Sequence, residues 1–227
     1  MGTVLYLHGL ASSPKGRKAE ILRGRLAPEG YSVVAPDLNA PSFEKLDFQA
    51  IVETAAEVAA QTKPAVIVGS SMGALVALAL AKRAEGQGVP LVLVAPALAF
   101  GERWSEKLPE GEMLDLYHHG EGRDLPIHRQ FFEAMASVTI DDQPPAVPVS
   151  LVMGTADESV PYEQVEAAWR RWEETGKLIP GSRFHRVEGG DHSLLDHGDV
   201  IEAAVRERLA GAGGAPPASG GETPSPV

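Results

Sequence analysis

The segment Gly69-Ser70-Ser71-Met72-Gly73 fits the pattern G-x-S-x-G, in which a sharp strand-to-helix turn lifts a serine hydroxyl above the edge of a sheet. Such a serine needs small flanking residues, because a tight turn brings neighbouring backbone into contact. The chemistry on offer is nucleophilic attack on an acyl carbonyl, with Ser71 as the attacking residue. In a chain with 24 Gly the pattern alone is weak, and Ser71 could instead be a helix N-cap. Its setting is more specific. The apolar run Ala65-Val66-Ile67-Val68 comes directly before it, and the strong helix formers Ala74 to Leu80 directly after.

A serine at its free pKa is a poor nucleophile, so this chemistry requires a base and a group to orient the base. Where the elbow occurs, the acid and the histidine follow it in that chain order. Val147 to Met153 reads as a strand, and Gly154-Thr155-Ala156-Asp157 as the turn leaving its C-terminal end. This places Asp157 on the sheet edge that carries Ser71. A further strand near Ser182 to Val187 runs into Glu188-Gly189-Gly190-Asp191-His192, whose two glycines let the loop turn a histidine back over the sheet. His192 is therefore the expected base. His185 falls within that strand and His197 at the opening of the last helix. Asp191, Asp196, Asp141 and Asp142 are weaker alternatives for the acid.

Acyl transfer also needs two N–H donors for the developing oxyanion. The residue after the nucleophile, Met72, supplies one. The strand Leu5-Tyr6-Leu7 ends in His8-Gly9-Leu10, so the Leu10 N–H is the natural second. His8 then has a structural role under this loop.

The elements that must hold these groups can be read from hydropathy. Short Val/Leu/Ile-rich runs at about 3–7, 31–36, 65–69, 90–95, 148–153 and 182–187 alternate with helix-forming stretches at about 15–27, 46–61, 72–84, 161–175 and 197–210. Several runs are apolar throughout, as strands covered on both faces are. The expected fold class is α/β, a doubly wound, mostly parallel sheet of about six strands over residues 1–210. About fifty residues separate Ala95 from Pro148, too many for a simple connection. They imply a helical cap insert at about 98–145, two short helices in expectation, whose Trp104, Phe131, Phe132 and Met135 would line an acyl pocket or glue the cap to the body. Residues 211–227 read as a disordered Gly/Pro-rich tail.

Composition removes other classes. Twenty Lys and Arg against 31 Asp and Glu give a net charge of −11, which repels phosphate backbones and anionic lipid, so neither nucleic acid nor membrane is an expected partner. The absence of cysteine removes thiolate nucleophiles and Cys-based metal sites. His118-His119 near Glu121 and Asp124 lack a complete ligand set and read as a solvated cap loop. No phosphate or dinucleotide motif occurs. The expectation is no metal and no cofactor. With no basic leader ahead of the first apolar run, a cytoplasmic location is expected.

His8-Gly9, the Gly69–Gly73 elbow, Gly154 to Asp157 with Val160-Pro161, and Gly190-Asp191-His192 together resemble the α/β-hydrolase superfamily in order and spacing. More narrowly, Tyr6 to Pro14 followed by Lys18, and Asp157-Glu158-Ser159-Val160-Pro161-Tyr162, are similar to the small bacterial YqiA-like esterases. The resemblance implies hydrolysis of a small-molecule carboxylic ester or acyl thioester by a Ser-Asp-His triad without cofactor. Lactone opening, or ligand binding without catalysis, would use the same fold. Two departures stand out: the sequence opens on the strand bearing His-Gly, so a reduced sheet is expected, and its insert is longer than expected for the most compact members.

Overall fold

The computed structural model describes residues 2–98, 108, 110–136, 138 and 143–211. Its main sheet is built from β1 (Thr3–Leu7), β2 (Ser32–Val34), β3 (Val66–Ser70), β4 (Leu91–Val94), β7 (Val149–Gly154) and β8 (Arg183–Val187), in the order β2-β1-β3-β4-β7-β8. Every neighbouring pair in it is parallel. The continuous apolar runs have the cause expected of them. All residues of β3, β4 and β7 are buried, because helices cover both faces and leave no side for polar side chains.

One helical layer consists of α2 (Phe48–Thr62) and α3 (Met72–Leu80), which pack on each other and on β1 and β3. The other is α1 (Arg17–Leu26) against α6 (Gly198–Gly211), with α6 lying along β3, β4 and β7. A fifth helix, α5 (Tyr162–Glu174), follows β7 and buries Trp169 and Trp172. Strand order reverses between β1 and β3: the chain leaves β1 for β2 on one side, then returns to β3 on the other. In an open parallel sheet the crevice at such a switch point, outside the carboxyl ends of the strands, is where ligands bind. The His8 loop and the Ser71 elbow leave the sheet there. Among the described residues no helix is long and apolar enough to cross a membrane.

Among its described residues the insert holds a hairpin that the expectation of two short helices did not include. Residues Met113–His118 (β5) and Arg123–His128 (β6) form an antiparallel hairpin, followed by one short helix, α4 (Arg129–Met135). The hairpin sequence alternates with period two: Leu114 and His118 are buried, while Met113, Asp115 and Tyr117 are exposed, a strand pattern. Pro126 is tolerated because a two-stranded ribbon consists only of edges, so its missing N–H breaks no interior ladder. The segment around Trp104, and the tail beyond Gly211, lie outside the described residues.

Candidate active site

Steric necessity fixes the elbow. A Cβ on Gly69 would lie 2.4 Å from the Gly73 carbonyl oxygen, and one on Gly73 would lie 2.1 Å from that of Leu7. Both are far inside contact distance, so glycine is required at the two outer positions of the motif. Ser71 between them has φ 55° and ψ −118°, a conformation costly for any residue with a side chain. The turn is held from three sides. The Ser71 N–H donates to Val94 O, and the Ser71 carbonyl accepts from the N–H groups of Ala74 and Ala97. Although Ser71 stands at the N-cap position of α3, its hydroxyl makes no capping bond. It lies instead 3.1 Å from His192 Nε2, which removes the N-cap reading.

Asp157 leaves the end of β7 with its side chain fully buried. Its Oδ1 accepts from the backbone N–H groups of Ser159 and Val160 at 2.8 and 2.7 Å, while Oδ2 lies 2.8 Å from His192 Nδ1. The sequence Asp-Glu-Ser-Val thus acts first as a turn former, and the turn leaves the second carboxylate oxygen for the histidine. A carboxylate only accepts, so the imidazole proton sits on Nδ1 and the Nε2 lone pair faces the Ser71 hydroxyl.

His192 is placed by backbone contact between β7 and the loop after β8. The Thr155 N–H donates to Val187 O and the Ala156 N–H to Gly190 O. Asp191, one residue before the histidine, accepts from the Ser193 hydroxyl and the Leu194 N–H and so folds the loop on itself. Leu194 is fully buried with φ 48°. His185 sits instead beside Glu207, with 3.5 Å between Nε2 and Oε2, and His197 lies in a short 3₁₀ turn before α6. Asp196 is in that same turn, and Asp141 and Asp142 lie outside the described residues.

The loop after β1 runs beside the elbow: a Cβ on Gly9 would approach Ser71 Cβ to 3.2 Å. Buried His8 supports it from below, its Nδ1–H donating to Gly9 O and its Nε2 accepting the Leu38 N–H. Leu10 follows Gly9 directly, and Met72 opens α3, where its N–H has no intrahelical acceptor.

The hairpin turn docks on this same loop, a contact that sequence reading missed. The His119 N–H donates to Ala11 O at 2.7 Å, and Ala11 has φ 56°. Gly120 lies against Ser13, where a Cβ would come within 2.7 Å. His118 is not part of a solvated loop. It is buried edge-on against Phe43, centroids 4.8 Å apart, with Nδ1 accepting the Glu121 N–H. A tertiary contact with a residue 75 positions away gives no local sequence signal. Phe131, Phe132 and Met135 are buried in the core on α4, which packs against α2. The two phenylalanine rings meet edge-on.

The parallel sheet, its switch point and the elbow define an α/β-hydrolase fold, and solved structures share it. Mouse alpha/beta hydrolase domain-containing protein 10 is 17% identical, with a TM-score of 0.73 over 92% of this chain and 90% of its own. The monoacylglycerol lipase of Paleococcus ferrophilus is 18% identical, with a TM-score of 0.71 over 93% and 95%. Est1E of Butyrivibrio proteoclasticus with ferulic acid bound is 18% identical, with a TM-score of 0.70 over 92% and 90%. Within this fold the chain belongs to the family described as Uncharacterised protein family UPF0227, whose model matches residues 3–197. That span contains Ser71, Asp157 and His192.

Proposed function

We propose that this chain is a serine hydrolase that cleaves carboxylic esters through an acyl-enzyme on Ser71. One observation carries the reading: a continuous hydrogen-bond chain from Ser71 Oγ through the imidazole of His192 to buried Asp157, with 3.1 and 2.8 Å between partners. His192 Nε2 takes the Ser71 proton as Oγ attacks the acyl carbonyl carbon. Asp157 holds the ring orientation and stabilises the imidazolium. The N–H groups of Leu10 and Met72 bond the oxyanion of the tetrahedral intermediate. His192 then protonates the leaving alcohol, which departs. In the second half a water gives its proton to His192 and attacks the acyl-enzyme, releasing the carboxylic acid and restoring the serine.

An inert binding module has no use for a strained serine bonded to an oriented histidine, since that strain is stable only where surrounding structure enforces it. Esters are favoured over thioesters and lactones by what two proteins of the same fold are named for, a monoacylglycerol lipase and an esterase bearing ferulic acid. Phe131, Phe132 and Met135 are packed in the core, which favours the role of gluing the insert to the body over that of lining an acyl pocket. A panel of nitrophenyl esters of increasing chain length beside matched acyl thioesters tests the substrate. Ester turnover that vanishes in Ser71→Ala supports the reading; thioester turnover alone would replace it. A change of chain-length preference in Trp104→Ala or Phe131→Ala supports the pocket, and a change in stability alone assigns those residues to packing.

A further inference from the structure

Lys18, in the first turn of α1, is half-buried and reaches across the fold to the loop that carries the histidine. Its Nζ donates to the carbonyl oxygen of Ser193 at 2.8 Å, a contact between residues 175 positions apart. Ser193 directly follows His192. The rest of this loop is tied to itself or to β7, through the Asp191 carboxylate, the Leu194 N–H and the Gly190 carbonyl. Lys18 is the tie from the α1 side. The charged groups facing the ammonium are Asp191 from the loop and Asp157 from the turn after β7. Burial pushes the amine down to about 8, against the attraction of both carboxylates. The fold thus holds a cation where desolvation opposes it, beside the orienting carboxylate.

We propose that Lys18 is a positioning residue for His192: it pins the loop through Ser193, and its charge offsets that of Asp157, the carboxylate hydrogen-bonded to the imidazole, so that the ring stays neutral and able to accept a proton. Without that cation, the Asp157 carboxylate on Nδ1 acts on the imidazole uncompensated, the imidazolium gains, and less of the base is in its working form at neutral pH. The inference rests on the hydrolase reading of the same site.

The test reads His192 directly. The ring nitrogens of ¹⁵N-labelled wild type, Lys18→Met and Lys18→Arg are titrated by NMR, with the His192 signals assigned from the spectrum of His192→Gln. Labelling of Ser71 by a fluorophosphonate is timed on the same samples. In Lys18→Met the His192 midpoint is expected to rise by about half a unit to one unit, a roughly three- to tenfold change in its protonation ratio. Labelling at pH 7 slows about tenfold and recovers part of the loss as pH is raised. Lys18→Arg, which keeps the cation, returns the midpoint to the wild-type value. A tie that only braces the loop would change stability without moving the titration. If Lys18→Met does not fold, wild type alone decides, because the His192 signals must then show a second inflection near pH 8 as Lys18 loses its proton. A folded Lys18→Met that titrates like wild type, or wild-type signals without that inflection, overturns the proposal. The hydrolase reading fails separately: unlabelled wild type with a shifted His192 midpoint in Lys18→Met would remove the reaction and keep the electrostatic coupling.

Discussion

Gly154 and Gly190 meet backbone to backbone where β7 and β8 leave the sheet, so closely that a Cβ on Gly154 would lie 2.1 Å from the Gly190 carbonyl oxygen. This contact sets how far the histidine loop stands from the acid turn. Gly154→Ala must push the loop outward by more than an ångström. Because His192 rides on that loop, labelling of Ser71 is expected to slow at least about a hundredfold. The far-UV circular dichroism of the variant should stay close to wild type, and rate and spectrum measured on one sample check this.

Ser71 holds φ 55° and ψ −118°, which glycine adopts far more readily than alanine. Ser71→Gly and Ser71→Ala both lose the hydroxyl, so the difference between them isolates the backbone. Relief of strain, about 1–3 kcal/mol, exceeds glycine's additional entropy, about 0.5–1 kcal/mol. Ser71→Gly is expected to be the more stable of the two by about 1 kcal/mol in urea unfolding. The reverse order would mean that the elbow stores no strain.

Asp157→Asn keeps an oxygen for the Ser159 and Val160 N–H groups but can present an N–H to His192 Nδ1, which favours the wrong tautomer. A loss on the order of 10³–10⁴-fold in kcat is expected, with little change in KM. A steady-state comparison on any ester that wild type turns over provides the check.

Burial lowers the Lys18 pKa to about 8 in the folded chain, whereas an unfolded lysine titrates near 10.4. Between those values the unfolded chain binds more protons than the folded one. This contribution therefore makes the native state more stable as pH rises from about 8 to about 10.4, and the cost of burying the ammonium is fully present below pH 8. Lys18→Met lacks this slope. Its stability relative to wild type should fall steadily across that window, as followed by urea midpoints at several pH values.

How much could be read in advance depended on whether the physical cause was local. Strands covered on both faces, such as Val66–Ser70, must be apolar throughout, and the elbow must carry Gly69 and Gly73 because no Cβ fits there. Those constraints leave their mark on the residues themselves. Asp157 and His192 could be placed because both follow strands of one parallel sheet and so emerge at one edge. The hairpin was hidden because the apolar residues of the insert suggested helices, while its period-two alternation ran through polar types such as Asp115 and His118. The left-handed backbone of Ala11 and Leu194 comes from tertiary contacts and has no sequence mark. Neither does the bond from Lys18 to Ser193, which joins opposite ends of the chain.

The central claim is that Ser71 is a nucleophile activated by His192. Intact-mass detection of a fluorophosphonate adduct on wild type, Ser71→Ala and His192→Ala, each verified as folded by circular dichroism, tests it without knowledge of the substrate. The account predicts a single adduct on wild type, none on Ser71→Ala, and labelling of His192→Ala slowed by at least about a hundredfold. Folded wild type that takes up no probe, or Ser71→Ala that labels as wild type does, would contradict it.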